Sequence, residues 1–314
     1  MIRESPQTHQ EVKKIEKISE AEERAFEVLL PRHKEQAVRM EDFASVQGFG
    51  RAVIKKDRYN VAQKKIRIRE MGTEPSKKAK LLEAILAEQI ELSDWFGSDA
   101  LTIIPAEYDD LYNGVDLAVE FEKDTKPTYT ALGIDITSSA GSITKKLAII
   151  KAYILRGDLG RIKYFKSERD NLPPRQIQGI PQLVIGTNKD LIKQLSELWL
   201  AVNRERIYKE QSYTGLSVEA VQSQKEKMRR AKEELATHRV QVLLLKEIQI
   251  QLETFAKFSR KKDIPDVAEK FEFLLHLISS IIAEKKITPD DERKNEEDEV
   301  YKELRTGLMD FELL

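Results

Sequence analysis

Asp116 and Asp135 are the residues of this chain whose type and spacing could do chemistry. Each interrupts a short alternating run. In Val115-Asp116-Leu117-Ala118-Val119-Glu120-Phe121, the apolar residues Val115, Leu117, Val119 and Phe121 fall on one face. Asp116, Ala118 and Glu120 fall on the other, the period of two that marks a half-buried strand. In Ala131-Leu132-Gly133-Ile134-Asp135-Ile136-Thr137, Leu132, Ile134 and Ile136 share one face, and Gly133, Asp135 and Thr137 the other. The connector between the runs, with Asp124, Lys126 and Pro127, is long enough for a hairpin turn. If the strands pair, Asp116 and Asp135 can meet on the same face. The alternative is that both are solvated residues of an outer face. Aspartate is scarce in strand interiors, and one in each strand disfavours that alternative. Carboxylate oxygens are the hard ligands that Mg²⁺ prefers, and the ion keeps several waters when one or two carboxylates hold it. Such an ion lowers the pKa of a bound water and neutralises charge developing on a phosphodiester. A nearby lysine can orient the water or stabilise the charged transition state.

The elements that must position these groups are legible on either side. Ser138, Ser139, Ala140, Gly141 and Ser142 form a turn and helix-cap cluster. In the helix that follows, Ile143, Leu147, Ile150 and Ile154 mark the buried face. At about 100° per residue, Lys146 lies about 70° from the centre of that face, and Lys145 nearly opposite it. Lys146 can therefore lean towards the sheet, and Lys145 should point to water. Upstream, Glu74-Pro75-Ser76 caps a helix from Lys77 to about Leu92, with Leu82, Ile85, Leu86 and Gln89 on one face. Glu88 and Glu91 sit away from that face, and Glu83 borders it. Leu101 to Ile104 reads as a strand, and Glu107 to Gly114 as an acidic turn leading into Asp116. Arg161 to Phe165 and Pro181 to Gly186 read as further strands, with a loop at Asn171 to Arg175 between them. A helix follows from about Lys189 to Tyr208.

This stretch, about residues 77–208, resembles the core of the PD-(D/E)XK nuclease superfamily. There an aspartate opens one strand and an acid-x-lysine motif sits on the next. Asp116 matches the first position and Asp135 the motif acid. The motif lysine position departs, because Thr137 stands there. Some members carry the lysine on the following helix, which the resemblance would give to Lys146, with Lys145 as the alternative. The resemblance further implies a mixed central sheet flanked by helices, a restriction-endonuclease-like α/β core. It implies Mg²⁺ or Mn²⁺ as cofactor, held by Asp116, Asp135 and the backbone carbonyl of Ile136. It also implies a glutamate on the helix before the strands, for which Glu88 is the candidate. Secondary candidates for the site are Lys145, Glu120, Glu88 and Thr137.

Around this core, residues 1–75 read as a helical N-terminal region, 76–210 as the α/β core, 211–286 as a helical hairpin and 287–314 as an acidic, flexible tail. In the first region Val12, Ile15 and Ile18 give a thin apolar stripe, and Ala25 to Leu30 a thicker one closed by Pro31. The basic run Lys64-Lys65-Ile66-Arg67-Ile68-Arg69 offers Lys64, Lys65, Arg67 and Arg69 to a phosphate backbone. A solvated helix face is the competing reading. In the hairpin one long helix is expected from Gln222 to Arg260, and a second from Asp266 to Glu284. Such wide apolar faces suit packing within the chain, a homodimer or a protein partner. The acidic-apolar end Met309 to Leu314 could dock on a partner.

Lys plus Arg number 53 and Asp plus Glu 54, a net charge of −1, so any basic surface that binds nucleic acid must be local. The absence of cysteine excludes disulfides, thiolate zinc sites and a cysteine nucleophile. His9, His33, His238 and His276 are scattered without metal-ligand spacing. No apolar run approaches a membrane span and the first residues lack the apolar core of a signal peptide, so a cytoplasmic location is expected. The function these readings point to is metal-dependent hydrolysis of phosphodiesters in DNA. The alternative is a catalytically inactive nuclease-like binding or scaffold protein acting through its helical arms.

Overall fold

Ser76 opens the helix against which the sheet is built. Its hydroxyl accepts from the Ala79 amide at 3.0 Å and fixes the start of α3, Lys77–Leu92. Such a cap contributes about 1 kcal/mol. The computed structural model describes residues 18–121, 130–167, 173–208, 216–285 and 287–312. The predicted turn at Asp124, Lys126 and Pro127, the apolar residues Val12 and Ile15, and Asn171 lie outside the described residues.

Two helices precede α3: α1, Glu20–Gln36, and α2, Gly50–Glu70, with a short 3-10 helix, Met40–Phe43, between them. Pro31 lies inside α1 rather than closing it. After α3 come β1, Ala100–Ile103; α4, Glu107–Asn113; β2, Leu117–Phe121; and β3, Thr130–Thr137. The acidic segment before Asp116 is thus a helix and not a turn. Its C-cap, Gly114, adopts φ 64°, a left-handed conformation that glycine enters without cost. Next are α5, Ile143–Leu155; β4, Gly160–Phe165; β5, Arg175–Ile180; β6, Gln182–Gly186; and α6, Lys189–Val202. The expected final helix of the core ends at Val202, and a short α7, Arg204–Tyr208, follows.

The chain is mixed α/β. The central sheet has the order β1-β2-β3-β6, with β1, β2 and β3 antiparallel in sequence and β6 parallel to β3. β4 and β5 form a separate antiparallel pair. β5 is not among the expected strands; the loop expected at Asn171 to Arg175 meets it only at Arg175. This pair changes the reading of β2, which is buried along its whole length rather than half-buried. Leu117, Val119, Phe121, Leu132, Ile134 and Ile136 join the main core with α3 and α5. On the opposite face, Ala118 and Ala131 pack against Ile162, Phe165 and Ile180 of the β4–β5 pair. Small residues on that face let the second sheet approach closely. An added Cβ on Gly133 would lie 3.4 Å from the Ile180 Cδ1.

The C-terminal part is helical to the end of the described chain: α8, Val218–Ala236; α9, Val240–Lys261; α10, Pro265–Glu284; α11, Pro289–Glu297; and α12, Glu299–Glu312. The single long helix expected over 222–260 is broken at Thr237, where the amide bonds back to Glu233 and Leu235 carbonyls. The tail expected to be flexible forms α11 and α12, and Val300, Tyr301, Leu304, Leu308 and Phe311 are buried in the main core. His276 is exposed on α10.

α9 has a particular task. β6 is an edge of the sheet, so its outer backbone groups need partners. Gln251 supplies both kinds: its Oε1 accepts from the Val184 amide at 2.9 Å and its Nε2 donates to the Val184 carbonyl at 2.7 Å. One turn earlier, Glu247 Oε2 accepts from the Gly186 amide at 2.8 Å. Burial drives the Glu247 carboxyl far above its ordinary pKa.

Candidate active site

The register Leu117↔Ile134, continued by one residue, sets Asp116 opposite Asp135 where β2 begins and β3 is about to end. The Asp116 amide donates to the Ile134 carbonyl at 2.8 Å, and its Oδ2 accepts from the Ile136 amide at 2.7 Å. That bond turns the Asp116 carboxylate across β3 towards the Asp135 side. Gly114 and Gln182 fix the approach from α4: Gln182 Nε2 donates to the carbonyls of Asn113 at 2.9 Å and Gly114 at 2.6 Å. Asp109 anchors the same helix from inside, accepting from the backbone amides of Lys163 at 2.7 Å and Tyr164 at 3.0 Å.

Lys146 leans from α5 into this corner. Its Nζ forms an ion pair with Asp135 Oδ1 and lies 3.4 Å from the Ile136 carbonyl oxygen. The Lys146 and Asp135 side chains are 23 % and 19 % exposed, so the corner is open on one side. Lys145 is exposed and makes no bond to the acidic pair, as the helix wheel requires. Thr137 is buried, and its hydroxyl is taken up by the turn after β3: it pairs with Ser142 Oγ at 2.8 Å and Ser139 N donates to it at 3.1 Å. It shapes the strand end and does not face the acids. Gly186 is needed beside it, because a Cβ there would lie 2.0 Å from the Thr137 carbonyl oxygen.

The helix glutamate whose charge acts on Asp116 and Asp135 is Glu83, not Glu88. Glu88 accepts from Trp199 Nε1 at 2.7 Å and pairs with Arg32 at 3.1 Å, joining α1, α3 and α6. Glu83 is electrostatically coupled to Asp135 and, with Asp110 of α4, to Asp116. Burial raises the Glu83 carboxyl to about 7, with Lys80 opposing and Asp135 adding to the shift. Asp135 is likewise raised to about 7, by burial first and then by Asp116, against the pull of Lys146. Burial, then Glu83 and Asp110, drive Asp116 well above its ordinary value. Asp110 sits at the exposed rim, yet the surrounding protein strips enough water from its carboxyl to raise it to about 6, aided by Glu83. Glu83, Asp110, Asp116 and Asp135 disfavour one another's ionised forms, and a cation bound beside them would favour ionisation.

Glu120 belongs elsewhere. It is fully buried and accepts from Ser167 at 2.8 Å. It lies four positions along β2 from Asp116, about 13 Å away.

Among the described residues no three acidic or histidine side chains converge into a ready metal cage. The donors that could hold an ion are Asp116, Asp135 and the Ile136 carbonyl, all hard oxygens, which suits an ion that keeps several waters. The Lys146 ammonium already bridges two of those oxygens, so the corner accepts a positive charge.

Of the basic run on α2, Lys64 is structural: it donates to the Leu111 carbonyl and lies 4.4 Å from the centre of the Tyr112 ring. Lys65 pairs with Glu107, and Arg69 with Glu74 at 3.6 Å. Arg67 is exposed. Lys65, Arg67 and Arg69 remain at the surface, where a phosphate can compete with a weak ion pair.

Sequence reasoning missed Glu83, Asp110, Lys80 and His33. Glu83 was set aside because it borders the apolar stripe, yet a border position is what reaches the end of a sheet. His33 gave no sequence signal, since its partner is Glu83, fifty positions away. No protein-family model, no curated protein and no solved structure matches this chain.

Proposed function

We propose that this chain is a divalent-metal-dependent nuclease that hydrolyses phosphodiesters in DNA, on a restriction-endonuclease-like core resembling the PD-(D/E)XK superfamily. The observation that carries this reading is the corner itself. Asp116 and Asp135 oppose one another at the end of β2 and β3, and Lys146 touches both Asp135 and the Ile136 carbonyl. The element order also supports it: α3, then the antiparallel β1, β2 and β3 with α4 inserted after β1, then α5, the separate β4–β5 pair, β6 parallel to β3, and α6.

Bound Mg²⁺ or Mn²⁺ would supply a water of lowered pKa and offset charge on the scissile phosphate. The residues do the rest. Asp116 is held by the Ile136 amide, so its carboxylate needs little rearrangement to accept a cation. Asp135 would share the ion with Asp116, and Lys146, whose Nζ lies beside Asp135 and the Ile136 carbonyl, would orient the attacking water or offset charge on a phosphate oxygen. Lys65, Arg67 and Arg69 of α2, which packs on α4, would hold the strand on either side by its backbone.

The test is cleavage of single-stranded, duplex and branched DNA with Mg²⁺ or Mn²⁺. Asp116→Ala and Asp135→Ala should abolish cleavage while leaving the circular-dichroism spectrum and melting temperature close to wild type. Undiminished cleavage by either variant would rule the site out. A second reading, a nuclease-like scaffold without catalysis, draws on Thr137, whose hydroxyl serves only the turn. Tight DNA or protein binding with no cation affinity would select it. A homodimer or protein partner through the C-terminal helices belongs to that reading.

A further inference from the structure

α1 meets α3 through three polar contacts: Glu22 pairs with Lys78 at 2.6 Å, His33 meets Glu83, and Arg32 pairs with Glu88 at 3.1 Å. Two of these three contacts hold helices together. The third ends on Glu83, whose charge acts on Asp135 and Asp116. His33 is 5 % exposed, and its Nε2 lies 2.8 Å from Glu83 Oε1, while the Glu83 side chain remains 23 % exposed. A buried imidazole aimed at one oxygen of that carboxylate has a specific consequence. It fixes the rotamer of that carboxylate and occupies one oxygen, leaving the other to face inward.

We propose that His33 is the positioning residue for Glu83, so that the N-terminal helix α1 completes the divalent-cation site of the core. The inference rests on the reading of the site as a cation site. With the proton on Nε2, His33 would donate to ionised Glu83 Oε1, and Glu83 Oε2 would be left to accept from one of the ion's waters. Groups that hydrogen-bond metal ligands from behind raise affinity because they remove the freedom the ligand would otherwise lose on binding. The device also explains why a polar ring is buried under α1 where a leucine would pack as well. An apolar side chain would leave the Glu83 carboxylate free to turn back to Lys80 or to solvent.

The experiment is Mn²⁺ titration by calorimetry on the full chain, with melting temperature recorded for each variant. His33→Leu keeps the packing and loses the donor; it should weaken Mn²⁺ binding by about 10- to 100-fold. His33→Gln carries an amide N–H to nearly the same point and should restore most of the affinity. In a Glu83→Ala background the His33→Leu change should have no further effect, since the two act as one unit. Should His33→Leu not fold, His33→Asn replaces it, a polar side chain that stops short of Glu83. Wild-type affinity in His33→Leu, or equal losses in the Leu and Gln variants that track melting temperature, would overturn the assignment and leave the cation site standing. A wild-type chain that binds no Mn²⁺, even with a non-cleavable duplex present, would overturn both.

Discussion

At the scale of single residues, the acidic corner is an electrostatic problem with a lysine as its partial answer. Lys146 and Lys145 are neighbours of equal charge, yet only Lys146 reaches Asp135. Lys146→Ala should reduce metal-dependent cleavage by about 10²- to 10³-fold, the usual cost of losing one positioned electrostatic group. Lys145→Ala should leave it near wild type, and steady-state rates on one duplex compare the two directly. The carboxyls carry a pH signature as well. Glu83 and Asp135 titrate near 7 in the folded chain, against ordinary values of 4.5 and 3.8. Between about 4 and about 7 these two groups hold more protons in the folded state than in the unfolded state, so their contribution to stability falls as pH rises; buried His33 and His238, lowered to about 4, oppose it, and the carboxyl shifts, joined by those of Asp116, Asp110 and Glu247, outweigh them. Melting temperature of the cation-free protein should decline over this range, and saturating Mg²⁺ should flatten the decline. A pH-independent midpoint would contradict the raised values.

At the scale of elements, the sheet edge explains why α9 is where it is. Gln251 pairs with both backbone groups of Val184, doing what a fifth strand would do. Gln251→Leu would leave a buried N–H and C=O without partners, each an expensive loss in a dry interior. Urea denaturation should show a destabilisation of about 1–3 kcal/mol, and unchanged stability would mean that the edge finds other partners. The sequence offered this helix as a seam with apolar spacing, and that spacing is present: Leu245, Ile248, Leu252 and Phe255 are all buried. What the spacing could not reveal was the partner. A glutamine among leucines reads as a flaw in an apolar stripe until a strand edge is set against it.

At the scale of the whole molecule, the helical additions are continuous with the α/β core rather than appended to it. α12 lies on α5 and α9, and Phe311 packs its ring 5.0 Å from Phe255 and 5.2 Å from Phe258, centre to centre. The acidic-apolar end therefore finds its partner within the chain. Phe311→Ala should cost about 3–5 kcal/mol in a denaturation experiment, as for other buried phenylalanines. A change below 1 kcal/mol, a threshold of about the size of a surface substitution, would mean that α12 frays at little cost. Because α5 carries Lys146, the C-terminal helix also steadies the lysine from behind. Among the described residues no helix is long and apolar enough to cross a membrane.

The sequence by itself determined the local features: the cap before Lys77, the α5 wheel that separates Lys146 from Lys145, and the shared face on which Asp116 and Asp135 meet once their strands pair. These follow from residue type or from a period of 2 or 3.6 read over short stretches, where neighbours along the chain are neighbours in space. The tertiary structure alone decided that the charge of Glu83 and not of Glu88 acts on Asp116 and Asp135, that His33 stands behind Glu83, and that α9 seals β6. Those contacts join residues about fifty or more positions apart. No periodicity records them, because a hydrogen bond across that separation depends on how whole elements pack and leaves no trace in the spacing of either partner.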